Sequence, residues 1–98
     1  MITVSFFEDN KGVRISGHSG YSEEGSDIIC ASVSSAAYLT ANTLTEIVGA
    51  DADIDISDGF MELVLTETTK ETDILMNGLR LHINQLSQQY PHHVIVKE

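Results

Sequence analysis

The sequence predicts an α+β fold: one small domain over residues 1–98 in the order ββαββαβ, with a mainly antiparallel sheet and two helices on one face. Three observations predict it. Two stretches of alternating apolar and polar residues, each broken by a glycine-containing turn, mark two hairpins. Each hairpin is followed by a segment with apolar residues at three- and four-residue steps, the spacing of a helix. A short β-branched run then closes the chain. With 42% of its 98 residues hydrophobic, the chain has enough apolar material for one core and no room for a second domain.

Each element has its own justification. In residues 2–7, Ile2, Val4 and Phe6 alternate with Thr3 and Ser5, the period of a half-buried strand. Glu8 to Gly12 reads as a turn, and Val13 and Ile15 resume the alternation through residues 12–17. Between Gly17 and Ser26 the periodicity stops, and glycines, serines and the adjacent Glu23 and Glu24 mark an exposed, mobile loop. A helix is then expected over 27–48, with Ile29, Val33, Ala36, Ala37, Leu44, Ile47 and Val48 on its apolar face and Ser26 or Asp27 as N-cap. Its small residues, Ala31, Ser32, Ser34, Ser35 and Ala41 among them, suit close approach to a sheet. Ile54 and Ile56 alternating with Asp53 and Asp55, the turn Ser57-Asp58-Gly59, and Phe60 to Thr66 make the second hairpin, with an acidic outer face. Thr68 and Glu71 fit a capping box for a second helix carrying Leu75, Leu79, Ile83, Leu86 and Tyr90 and ending before Pro91. Val94, Ile95 and Val96 form the last strand.

Composition excludes several function classes. Fifteen Asp and Glu against five Lys and Arg give a formal net charge of -10, and the five cations are scattered, so direct nucleic-acid binding is not expected. An acidic surface favours encounter with a basic protein or peptide, or serves solubility alone. No apolar run approaches the roughly 20 residues that span a bilayer, and the N-terminus lacks the form of a signal peptide, so no membrane association and a cytoplasmic location are expected. A single cysteine, Cys30, forms no disulfide within the chain.

Cys30 is also the first candidate for chemistry. It falls in the first turn of the expected helix, where unpaired N–H groups favour a thiolate, the nucleophilic form. The alternative is a buried, inert cysteine. His18 stands where the second strand leaves the sheet, and it faces Cys30 if the loop returns the chain to that strand's side. A histidine at a strand end is otherwise an ordinary surface residue. His82, His92 and His93 lack any ligand spacing for a metal, and neither metal nor cofactor is expected. Gly17-His18-Ser19-Gly20 superficially matches a serine-hydrolase elbow, but Tyr21 replaces its last glycine and no helix starts after Ser19, so Ser19 is rejected as a nucleophile.

Gly17-His18, a glycine-containing loop, and Gly25-Ser26-Asp27-Ile28-Ile29-Cys30-Ala31 leading into a helix together resemble the signature of the ribosomal-processing cysteine proteases, the Prp family. Length and element order are similar too, so the resemblance covers the whole chain. It implies a cysteine endopeptidase that removes a short N-terminal extension from a large-subunit ribosomal protein and forms a homodimer. By position it makes Cys30 the nucleophile and His18 the general base and acid. It also makes the loop Ser19, Gly20, Tyr21, Ser22, Glu23, Glu24, Gly25 and Ser26 a lid over bound peptide. Asp27 and Ser34 match motif positions, with helix capping and groove filling as their plainer roles. Ser19 and Ser32 depart from the small apolar residues commoner at those positions in the family, and no third member of a triad is evident. The implied partner, a basic ribosomal protein or its N-terminal peptide, suits the acidic charge.

Two further readings stand beside this one. The chain could be a non-catalytic module binding a ribosomal or assembly protein, with a structural Cys30. It could also be a thiol redox sensor whose resolving cysteine comes from a second copy.

Overall fold

Alternation in the strands fixes one apolar face, and the structure covers that face with both helices. The computed structural model describes residues 1–17 and 26–98, and of Ser26 and Asp27 the backbone only. The strands are β1 (Ile2–Phe6), β2 (Gly12–Ser16), β3 (Ala52–Ser57), β4 (Phe60–Leu65) and β5 (Val94–Lys97), and the helices are α1 (Ser26–Asn42) and α2 (Lys70–Gln89). The predicted ββαββαβ order is the observed one. The sheet runs β3-β4-β2-β1-β5. All neighbours are antiparallel except β1 and β5, because α2 carries the chain back across the sheet so that β5 enters alongside β1 in the same direction.

Register aligns the apolar residues across strands. Val4 lies opposite Ile15, which lies opposite Met61, while Phe6, Val13 and Leu63 form the next row. All six are buried and meet Ile29, Val33, Ala37, Ala41 and Leu44 from α1 and Met76, Leu79, Ile83 and Leu86 from α2 in one core. The opposite face carries Thr3, Ser5, Arg14 and Glu62, and Arg14 pairs with Glu62 at 2.7 Å across β2 and β4. Gly12 is required where β2 meets β4, since a Cβ there would sit 2.0 Å from the Leu63 carbonyl oxygen.

Several expectations need correction. The first helix does not run regularly to 48: after Asn42 the backbone widens into a π-helical turn over Thr43–Ile47, with the Val48 N–H donating to the Thr43 carbonyl at 2.9 Å. Thr40, Thr43 and Thr45 each donate a hydroxyl to the carbonyl four residues back, a bond that competes with the helix ladder and helps to loosen it. The added residue rotates Ile47 and Val48 off the core side, so Ile47 is 80% exposed rather than buried. Ala36, Leu75 and Tyr90 are only partly buried against the core, whereas Met76 and Thr72 are fully buried.

The capping box of α2 lies one residue later than expected. Thr69 Oγ1 accepts from the Thr72 N–H at 3.2 Å and Thr72 Oγ1 accepts from the Thr69 N–H at 2.8 Å, so threonine takes the place usually held by Glu. The Gly17–Ser26 loop, apart from its two ends, lies outside the described residues.

Candidate active site

Ile29 and Val33 are almost fully buried beneath α1, and their packing sets the rotation of the helix. That rotation turns Cys30 and Ser34, one turn apart, toward the end of the sheet where β2 finishes and β4 begins. Cys30 is free and half-buried, and its inner side rests on the core. Ser34 is half-buried beside it, with Ala37 and Tyr38 a further turn along. These four side chains form one wall of a cleft of about 190 Å³. Ile15, Phe60 and Met61 make its floor, and the Ser57-Asp58-Gly59 turn makes its far rim.

Gly17 completes the lining, and its backbone explains why glycine stands there. Its φ is +88°, and a Cβ would lie 2.3 Å from the Met1 carbonyl oxygen, so both conformation and space exclude a side chain. Its N–H donates to the Gly59 carbonyl at 2.9 Å, which fastens the end of β2 to the turn of the second hairpin. The cleft is thereby bounded by the residue immediately before His18.

The structure brings together Cys30, Ser34 and Gly17 of the motif residues. His18, Ser19, Gly20, Tyr21, Ser22, Glu23, Glu24 and Gly25 lie outside the described residues, as do the side chains of Ser26 and Asp27. Because α1 begins at Ser26, Cys30 is its fifth residue, at the start of the second turn rather than in the first. The other histidines are elsewhere. His82 lies on the outer side of the helices with Ile28 and Leu39, and His92 and His93 precede β5 at the opposite edge of the sheet from β3. Among the described residues no three His, Cys, Asp or Glu side chains converge as a metal site would require.

Tyr38, Asp58 and Phe60 line the cleft and were not singled out from sequence. The Asp-Gly turn itself was legible, but its place opposite Cys30 follows from β2 pairing with β4, a contact between residues more than forty positions apart. A larger groove of about 670 Å³, lined by Val48, Asp51, Glu67 and Glu71 among others, has neither a cysteine nor a histidine in its lining.

Comparison with known proteins adds to this geometry. Residues 1–95 match the family described as Cysteine protease Prp. Among solved structures, SMU.848 from Streptococcus mutans is similar at 28% identity with a TM-score of 0.83, covering 99% of this chain and 92% of that one. The essential ribosomal processing protease Prp from S. aureus, in complex with a covalently linked product peptide, is similar at 21% identity with a TM-score of 0.85, covering 99% and 98%. The same S. aureus protease with a substrate peptide is similar at 18% identity with a TM-score of 0.84, covering 98% and 95%. Comparison with curated protein sequences returns no match.

Proposed function

Because the chain belongs to the Prp family of cysteine proteases, we propose that it is an endopeptidase that removes a short N-terminal extension from a large-subunit ribosomal protein in the cytoplasm. The observation that carries this reading is a half-buried Cys30 lining a cleft whose border is Gly17, the residue before His18. Peptide as the substrate class is supported by the S. aureus relative, whose structures contain peptides.

In this mechanism the Cys30 thiolate attacks the scissile carbonyl carbon, and backbone N–H groups at the start of α1 stabilise the oxyanion. The tetrahedral intermediate collapses as the C–N bond breaks, and His18, as imidazolium, gives its proton to the leaving amine. Water, deprotonated by His18, then attacks the thioester and releases the new carboxyl terminus and Cys30. Residues 19–26 close over the peptide, while Ser34 shapes the groove one turn from the nucleophile. No cofactor takes part.

Mass spectrometry of the N-terminally extended ribosomal protein from the same genome, incubated with the protein, tests this reading. Wild type cuts at one site. Cys30→Ala abolishes cleavage, and His18→Ala slows it by about 10²–10⁴-fold. An intact substrate beside a folded, reduced wild-type protein would overturn the protease assignment and favour the binding module.

The active form is proposed to be a homodimer. Between Ile28 and Thr45 the chain has no charged residue, and Ile28, Leu39, Ile74 and Leu81 are all more than 60% exposed on the outer side of the helices. An apolar face of this kind on an otherwise acidic protein is suited to self-association. Light scattering gives twice the chain mass if so, and the chain mass alone if not.

A further inference from the structure

We propose that the free edge of β3 is a track for an extended cationic peptide segment, which adds to the sheet as a sixth strand and leads into the Cys30 cleft. The identity of that segment, substrate chain flanking the scissile bond, rests on the protease reading; the strand addition does not.

Among the described residues β3 pairs only with β4, leaving one side of a six-residue strand open. Such a row of N–H and C=O groups is a template for another strand unless it is defended. The other edge of the sheet is defended: β5 has four residues, ends in Lys97, and has its Val94 carbonyl taken by the Ser87 hydroxyl at 2.9 Å. Among the described residues no comparable cover lies on β3.

Its side chains specify what fits. Ile54 and Ile56 lie opposite Leu63 and Met61, hence on the helix-covered face. Their partners are 1% and 7% exposed, yet Ile54 and Ile56 are 40% and 51% exposed, because the helix layer stops short of this edge. They form an apolar shelf. On the other face stand Asp53 and Asp55, with no ion pair among the described residues, since Glu62 opposite Asp55 already holds Arg14. A second copy added antiparallel, isoleucines on one face, would set Asp53 and Asp55 against the same two aspartates. Like charges directly across a strand pair are destabilising, so this edge rejects itself. It accepts a strand that alternates basic and apolar residues, by the strand-addition mode of peptide recognition.

The track also reaches the chemistry. Ser57 ends β3, and Ser57 and Asp58 form the rim of the cleft that Cys30 lines. A peptide in register with Asp53 to Ser57 arrives at that rim already extended.

The test uses the Cys30→Ala protein, labelled with nitrogen-15, and an end-capped octapeptide alternating lysine and valine. A glutamate-for-lysine counterpart and two versions N-methylated on the odd or the even residues accompany it. The lysine peptide is expected to shift the amide resonances of Ala52 to Ser57. One N-methyl series weakens binding by about tenfold and the other leaves it unchanged, because only alternate N–H groups face the partner strand. Asp53→Asn with Asp55→Asn weakens it by roughly two- to tenfold, and the glutamate peptide does not bind. Absence of binding, shifts spread over the acidic surface, or equal loss in both N-methyl series would overturn the proposal. None of these readouts requires cleavage, so they are independent of the protease test.

Discussion

Gly17 shows how one residue joins the sheet to the chemistry. A left-handed φ and a carbonyl oxygen 2.3 Å from any Cβ mean that alanine there meets two penalties at once. The conformational part alone is about 1–2 kcal/mol. Gly12→Ala is the natural control, since its Cβ would clash with the Leu63 carbonyl at the opposite end of the same strand. Both variants are expected to lose about 1–3 kcal/mol in urea unfolding. Only Gly17→Ala should also lower kcat/KM per folded molecule, because only it lines the Cys30 cleft. Equal kcat/KM for the two variants would refute a cleft-shaping role for Gly17. The sequence marked Gly17 through its pairing with His18; the reason for glycine, the nearness of Met1, became visible only with the strands paired.

At the scale of elements, local rules identified every strand and both helices, since each has a clear period and a stop. Where the reading failed, a long-range or competing interaction decided. Ile47 and Val48 continue the helical spacing of α1, but a π-helical turn reinforced by threonine back-bonds takes Ile47 out of the core. Thr68 with Glu71 and Thr69 with Thr72 are both plausible caps by composition. The second wins because Thr72 is fully buried, so its hydroxyl must find partners inside the protein, and the Thr69 N–H and carbonyl supply them. A cap of this kind contributes about 1 kcal/mol. The alternation in β3 put its aspartates on an acidic outer face, and its isoleucines do share the core-facing side. Their exposure reflects how far two helices extend across five strands, which no local pattern encodes. The candidate site divides the same way: Cys30 and Ser34 were legible as neighbours on a helix, while the Asp58 turn across the cleft depends on the β2–β4 pairing.

For the whole molecule, the proposed function makes charge the property expected to set how a cationic substrate arrives. A formal net charge of -10 on 98 residues attracts a cationic peptide over distances comparable to the Debye length, about 10 Å at 0.1 M salt. This attraction is long-range and differs from strand addition at β3, which is local. It acts on association, so raising salt from 50 to 300 mM should lower kcat/KM for a cationic peptide several-fold while kcat at saturation changes little. A neutral peptide with the same residues at the scissile bond should show no such slope. In the Asp53→Asn, Asp55→Asn variant the net charge is still -8, two less than the wild-type -10, so the salt slope should largely persist even as KM rises. If instead the slope disappears with those two aspartates, the field that guides substrate is not that of the whole molecule but of one strand.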